Sequence, residues 1–486
     1  MERRHFLVSS AAALTAAQSV FGSPNDTVRV AVIGVGGKGT HLGGRGRSHL
    51  DGFGRLDNVE VAAVADIDQT HLDFGVSLVE KNPKQGKRPA GFIDFRKILD
   101  DKSIDAISIA TPNQWHALMT IWGCQAGKDV YVEKPCTYNV FESKQIVAAA
   151  RKYNRMVQHG SQIRSSLAVQ EGIQKMRDGL IGDVYFSRGL CFKTRDTIGR
   201  TPVSPVPAGV DYNLWTGPAP KRDFTMNRFH YNWHWFWDYG NGDLGNQGIH
   251  QVDIARWGLG VKYPVKVSAI GGHFMFDDDQ ETPNVLNCAF EFNDGGKRKL
   301  MEFEVRHWIT NAEGVIGAPH VGPPLDDPEA PQRPAGAGRR GGADGPGGPG
   351  GPGGPGGQFG PGGPRGAPDR IGDLFYGSNG YLAVDSYVSY KSWIGRAGDP
   401  GPASNKGGDH FLNFIEAVRS RKRETLNAEV EEGAISSTLV HLANVSYRVG
   451  RTLNFDAATM TCKDDKQANE LLTRQYRAPF VVPEKV

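Results

Sequence analysis

A lysine, a histidine and an asparagine carry the sharpest chemical signal in this 486-residue chain. Lys134 stands in "VYVEKPCTYN", where an apolar, β-prone run gives way in succession to Glu133, Lys134 and Pro135. An ammonium at the end of a strand can hydrogen-bond a substrate hydroxyl or stabilise a developing alkoxide. Glu133 can orient it, and a surface ion pair is the plainer alternative. The second constellation is "GNGDLGNQGIHQVDIARWGLG". In a helix that begins near Leu244, Asn246 and His250 lie four residues apart on one face, with Asp253 three further on. Imidazole titrates in the range that general acid/base work needs, and Asp253 is expected to fix its ring. The alternative is a buried structural histidine, and the Gly-rich approach and polar neighbours weigh against it.

Just upstream, "FHYNWHWFWDYGNG" gathers Phe229, Tyr231, Trp233, Trp235, Phe236, Trp237 and Tyr239 around His230 and His234. Aromatic faces suit the apolar C–H faces of sugars, which makes Trp235 and Trp237 candidate substrate contacts. Aromatics also dominate packed loops and subunit contacts, and both readings stay open. His230 and His234 have the spacing of a metal pair if helical, but no third ligand is evident and no metal is expected.

Such residues need a frame to hold them, and the pattern of runs supplies one. "VRVAVI", "VEVAAVADID", "DAISIATPNQWHA" and "KDVYVEKP" are short apolar strand-like runs. Between them lie stretches of helical character, as in "WHALMTIWGCQAG" and "NVFESKQIVAAARKYN". Strands alternating with helices predict a doubly wound parallel sheet over residues 26–155. In such sheets ligands sit at the carboxyl ends of the strands, which is where Lys134 falls. From residue 156 to 456 strand-like pieces follow one another with turns between, which predicts a C-terminal α/β domain with a mostly antiparallel sheet. Residues 457–486 form a tail. Within the second domain, residues 317–371 are dominated by Gly and Pro. Such a stretch buries too little apolar surface to offset its ordering entropy and is expected to be a disordered surface loop.

The first strand runs directly into Gly34-Val-Gly36-Gly37-Lys-Gly39. Here Gly34 permits the turn, Gly36 admits a pyrophosphate to the backbone amides, and Gly39 allows close helix–strand packing at the opening of the first helix. The second run ends in Asp66, placed to hydrogen-bond ribose hydroxyls and to repel a 2′-phosphate, so NAD is favoured over NADP. Asp66 lies 27 residues after Gly39, against about 20 in the fingerprint. The surplus, "GGRGRSHLDGFGR", is a poor helix former, and Asp68 is expected to be a turn residue.

A formal charge of +3 gives no support for a nucleic-acid footprint. The five cysteines are scattered without a CxxC pair, so neither a disulfide framework nor a zinc site is expected. "MERRHFLVSSAAALTAAQSVFG" sets Arg3 and Arg4 before a short, small-residue-rich apolar stretch. It reads as a twin-arginine export signal over residues 1–25, an ordinary secretory signal or an uncleaved anchor being the alternatives. No integral membrane span is expected once the signal is removed.

Taken together, "AVIGVGGKG", "ATPNQWH", "VEKP" and the Asn246–His250–Asp253 region resemble the Gfo/Idh/MocA family of oxidoreductases over most of residues 26–455. The resemblance implies an N-terminal Rossmann domain followed by an open-faced α/β sheet domain, and a homo-oligomer through that open face. It implies NAD contacts from Gly34, Gly36, Gly37, Gly39, Asp66, Thr111, Pro112, Asn113, His116, Glu133 and Lys134. It also implies that Lys134 and His250 flank the substrate carbon, with a cis bond before Pro135 aiming Lys134. Many members have aspartate where this chain has Asn246, and an amide cannot accept a proton.

The leading expectation is an exported NAD-dependent dehydrogenase of a sugar, glycoside or cyclitol hydroxyl. Free NAD is scarce outside the cytoplasm, so its cofactor is expected to be tightly held. The alternatives are a glycoside-cleaving enzyme that oxidises transiently without net redox, and a non-catalytic carbohydrate-binding protein.

Overall fold

The computed structural model describes residues 27–37, 44–307 and 370–486. The N-terminal signal, Gly39 and nearly all of the Gly/Pro-rich stretch lie outside the described residues. The last two residues assigned to that stretch, Arg370 and Ile371, instead open a strand.

The first half is a six-stranded parallel sheet built from β1 (Val28–Ile33), β2 (Val59–Ala65), β3 (Ala90–Phe92), β4 (Ala106–Ile109), β5 (Asp129–Val132) and β6 (Val157–His159). Their order, β3-β2-β1-β4-β5-β6, is doubly wound about the β1/β4 junction. Strands β1, β4 and β5 are almost wholly buried. That explains their near-continuous apolar runs, since a parallel sheet is covered on both faces.

The helix after β1 spans Arg45–Gly54. It is made of the very glycine-rich residues whose propensity argues against a helix. It also starts beyond Gly39, where the sequence pattern places its opening. Packing overrides propensity here. A Cβ on Gly46 would sit 1.9 Å from the Gly34 carbonyl oxygen, and one on Gly44 equally close to that of Gly36. Gly44 and Gly46 thus make close approaches of the kind expected of Gly39, which lies outside the described residues. His49, Leu50 and Phe53, on the same side of the helix as Gly46, are buried with it.

The second half is a ten-stranded sheet of β7 (Val184–Phe192), β8 (Lys266–Gly272), β9 (Val285–Asp294), β10 (Lys297–Arg306), β11 (Arg370–Gly377), β12 (Gly380–Ser386), β13 (Ser389–Ile394), β14 (Asp399–Asn405), β15 (Leu453–Asp456) and β16 (Thr461–Cys462). The order is β14-β13-β12-β11-β7-β10-β9-β8-β15-β16, antiparallel except between β7 and β10. Helices Gly248–Leu259 and Val430–Val449 pack on one face, where Val252, Leu286, Phe303 and Leu439 join one core. The other face keeps Tyr185 and Ile270 exposed and carries stacked Phe186–Tyr376 and Tyr381–Trp393 pairs. The sheet is open, as the resemblance implies. No helix among the described residues is long and apolar enough to cross a membrane.

Candidate functional site

Three loops meet at the carboxyl ends of β1, β4 and β5. After β1, Gly34 takes φ +85° and passes so close to Ala110 that a Cβ would meet its oxygen at 2.9 Å. Only glycine accepts both demands. Gly36 and Gly37 follow, and a Cβ on Gly36 would fall 2.2 Å from the His71 ring. The Asp66 carboxylate shapes this loop. Its Oδ2 accepts the Val35 and Gly36 amides at 2.7 and 3.0 Å, and its Oδ1 accepts the Asp68 amide at 3.0 Å. Expected to face ribose hydroxyls, Asp66 is buried and committed to backbone donors. Burial raises its pKa, against the pull of nearby His71. Asp68 caps the helix Gln69–Glu80 by accepting the Thr70 amide.

The loop after β4 carries Thr111, Pro112 and Asn113. Asn113 opens the helix Asn113–Gln125 with its Oδ1 buried and unpartnered. His116, expected along the cofactor, is turned inward: its Nδ1 lies 2.6 Å from the Pro135 oxygen and its Nε2 2.7 Å from that of Thr111. It ties the β4 and β5 loops together, and burial lowers its pKa. A side-chain-free glycine turn, with a buried amide oxygen awaiting a donor one loop away, fits a bound dinucleotide.

At the end of β5, Glu133 is the hub of a buried network. Its Oε1 accepts from Arg45 Nη2 at 3.0 Å and from Gln162 Nε2 at 3.2 Å, and lies 3.0 Å from His49 Nε2. Burial pushes the carboxyl up, but Arg45 and His49 outweigh it and hold it well below the usual range. Glu133 touches Lys134 only through the main-chain amide. The lysine side chain goes elsewhere: Nζ donates to the Asn246 carbonyl oxygen at 2.7 Å and to Asn246 Oδ1 at 3.2 Å. Two of its three N–H donors are thereby engaged, and the third has no partner among the described residues. The Lys134–Pro135 bond is cis. Burial lowers the Lys134 pKa to about 8 despite the opposing Glu133.

Asn246 and His250 do not ride one continuous helix. A short helix, Gly242–Asn246, ends where Gly248–Leu259 is about to begin. In an unbroken helix the Asn246 carbonyl would accept the His250 amide. That amide instead bonds Gln247 at 3.2 Å, and the released carbonyl receives Lys134. His250 is buried with Nδ1 unpartnered, beside the Tyr387 ring at 5.3 Å. Burial, then the Lys134 charge, lowers its pKa well below the ordinary value, so it is neutral.

Asp253 does not orient His250. It is wholly buried and takes a bidentate grip from Arg164 at 2.7 and 2.8 Å, with Ser161 and Ser436 donating as well. A carboxylate so placed is spent on architecture rather than on substrate.

The aromatic segment divides. Phe229, Trp233, Phe236 and Tyr239 form a small core with Tyr212, Trp215 and Phe224. Trp237 packs against Tyr447 and Arg448 of the long C-terminal helix. Trp235 is buried under the Arg195 guanidinium, 5.0 Å away, and is thereby joined to the Lys134 side. His234 is buried with Nδ1 2.5 Å from the Tyr231 oxygen and shares no contact with His230. Burial and the Lys134 charge lower the His234 pKa to about 3.

Sequence reasoning missed Asp243, Arg195 and His307. Asp243 accepts Arg195 Nε and Nη2 at 2.6 and 2.8 Å, lies 2.7 Å from His307 Nε2, and receives Asn246 Nδ2 at 3.3 Å. It therefore turns the Asn246 amide so that Oδ1 faces Lys134. Its position one helical turn before Asn246 is a readable signal. Arg195 and His307 have none.

Two family models match the chain. One, described as "Oxidoreductase family, NAD-binding Rossmann fold", covers residues 28–161. The other, "Oxidoreductase family, C-terminal alpha/beta domain", covers residues 187–301 and 387–482. Among curated proteins, an alpha-N-acetylgalactosaminidase of Shewanella oneidensis is 32% identical over 164 residues, which is 33% of this chain and 34% of the relative. A glycosyl hydrolase family 109 protein of Shewanella putrefaciens is 32% identical over 213 residues, covering 38% and 44%. The chain thus spans less than half the length of the curated relatives it matches. Among solved structures, a levoglucosan dehydrogenase bound to NADH and levoglucosan superposes with TM-score 0.60 at 15% identity, over 88% of this chain and 99% of that one. An aldose-aldose oxidoreductase from Caulobacter crescentus gives 0.58 at 17%, over 88% and 100%. These last two likenesses are of fold.

Proposed function

The chain belongs to the Gfo/Idh/MocA family of NAD-binding oxidoreductases, and from that premise we propose that it oxidises a secondary hydroxyl of a sugar, glycoside or cyclitol. The observation that carries this is the Lys134 ammonium, held by two bonds to Asn246 with its third N–H unpartnered among the described residues, beside a neutral His250. A substrate hydroxyl oxygen accepts that third N–H, and the neutral His250 imidazole takes the hydroxyl proton. The ammonium stabilises the alkoxide as it forms. The Lys134 charge depresses His250 at rest; a developing alkoxide offsets that charge and raises the proton affinity of His250 when it is needed. Bound NAD supplies the hydride acceptor. NAD is preferred to NADP because the Asp66 carboxylate at the end of β2 disfavours a 2′-phosphate.

A second reading rests on the curated relatives and on Asn246. A ring carbon oxidised to a ketone, its hydride held on NAD, would acidify the neighbouring C–H; the aglycone would leave by elimination, water would add to the resulting enone, and return of the hydride to the ketone would release the sugar at its original oxidation level. The alpha-N-acetylgalactosaminidase and family 109 names favour this route.

One experiment separates the two. The protein is purified without added nucleotide and its absorbance in the reduced-nicotinamide band is followed as glycosides and cyclitols are titrated. A stoichiometric, lasting rise supports net oxidation. Sugar release with no lasting change supports transient oxidation. Absence of bound nucleotide and of any response sinks both.

We also propose that residues 1–25 direct twin-arginine export with the cofactor already tightly bound. Arg3→Lys with Arg4→Lys should then hold a reporter fusion in the cytoplasm. A homo-oligomer through the open sheet face is proposed on the same footing, and sedimentation velocity tests it.

A further inference from the structure

Asp68, His71 and His230 converge from two distant parts of the chain. Asp68 and His71 stand at the first turn of the helix Gln69–Glu80. His230 arrives from the aromatic segment, with a backbone φ of +55°. Its Nε2 lies 3.2 Å from Asp68 Oδ2. The His71 and His230 rings are 4.4 Å apart between centroids. His71 Nδ1 lies 3.9 Å from Asp66 Oδ1 and 4.0 Å from Asp68 Oδ2. Those separations are too long for hydrogen bonds. Two ligand atoms each about 2.1 Å from one ion sit roughly 3.4 Å apart at a tetrahedral angle. The ligand atoms of Asp68, His71 and His230 all lie within 4.8 Å of one another, so modest side-chain rotation brings them around one ion.

We propose that Asp68, His71 and His230 form a divalent metal site of the two-imidazole, one-carboxylate type. Nitrogen-rich ligation of this kind selects zinc or cobalt over magnesium and calcium, which take oxygen ligands. Asp68 and His71 are buried and His230 nearly so, which limits competing water. Sequence spacing pairs His230 with His234 and offers no third ligand; the fold leaves His234 out and supplies Asp68 and His71.

The site has a structural task. His71 packs against Gly36 of the glycine loop, and His230 belongs to the segment that carries His234 and Trp235. An ion there clasps the cofactor loop to the segment that walls the Lys134 side. The clasp is independent of which reaction the site performs.

The test uses the full chain stripped of metal by a chelator and titrated with Co²⁺. The expected result is one saturable site per chain with visible d–d bands and no thiolate charge-transfer band, displaced by Zn²⁺. His71→Ala and His230→Ala should each weaken Co²⁺ binding at least about tenfold. Circular dichroism would check that both variants fold, and Zn²⁺ should raise the thermal midpoint of the parent but not of His230→Ala. Three outcomes overturn the proposal: no saturable binding in the parent, unchanged affinity in two folded variants, or thiolate bands that locate the ion elsewhere.

Discussion

Replacing Asn246 by aspartate puts a carboxylate where the amide oxygen now stands, 3.2 Å from Lys134 Nζ. At an effective dielectric of about 20, that separation is worth about 5 kcal/mol of attraction, a ceiling of nearly four pKa units. Two costs reduce it. The new carboxylate must leave water, and it loses the bond its amide now donates to Asp243 at 3.3 Å, meeting a like charge there. That repulsion is blunted, because Arg195 and His307 already hold Asp243 well below the usual carboxylate range, against the upward push of burial. The net expectation for Asn246→Asp is a rise of at least about one unit from the parent value of about 8, equivalent to about 1.4 kcal/mol. The assay is an NMR titration of protein carrying ¹³C at lysine Cε, with the Lys134 resonance identified by its loss in Lys134→Arg. It needs no substrate. A Lys134 pKa unchanged within a few tenths would refute both the placement of Lys134 against Asn246 and the account of its depressed pKa.

Other outcomes follow from the same contacts. On the proposed chemistry Lys134 works as an ammonium, so the rate of substrate oxidation should fall as pH rises through about 8; Lys134→Met should lower kcat by about 10²–10³ with little change in KM, read by steady-state kinetics. His250→Ala removes the proposed proton acceptor and should cost about 10²–10⁴ in kcat in the same assay. Gly46→Ala drives a methyl into the Gly34 carbonyl, and urea unfolding should show a loss near about 3 kcal/mol, the upper end for overpacking, since backbone cannot yield. Glu133 and Asp243 both have depressed folded-state values. Their stabilisation is complete above the unfolded carboxylate value of about 4 and is lost as pH falls through the folded values. The urea midpoint should drop below about pH 4, and the drop should be shallower in Asp243→Asn.

What the chain discloses by itself is whatever is local. Val130 to Val132 announce a buried strand, and the sheet rule places the next residues at a ligand-bearing edge, so Lys134 is legible from its immediate neighbours. The alternating runs from β7 to β10 are legible for the same reason. The helix Arg45–Gly54 is not, because its cause lies in the backbone of Gly34 and Gly36 and not in its own propensities. Asp253 misleads through spacing: three residues from His250 suggest a partnership, while its true partner, Arg164, is 89 positions away. The network around Glu133 draws on Arg45, 88 residues distant. Charges of that separation leave no periodic trace, so their pairing is visible only once the fold brings them together.

The way Lys134 is held has one more consequence. With two of its donors fixed on a single asparagine, the third points along a set direction. A flexible ammonium would follow an oxygen on either side of a ring; a tethered one reads configuration. Two epimers that differ only at the reacting carbon offer their oxygens on opposite sides, and the hydride they would surrender is on opposite sides too. On the proposed chemistry the lysine's tether is a stereochemical ruler, and the protein should tell an axial from an equatorial hydroxyl before it tells one sugar from another.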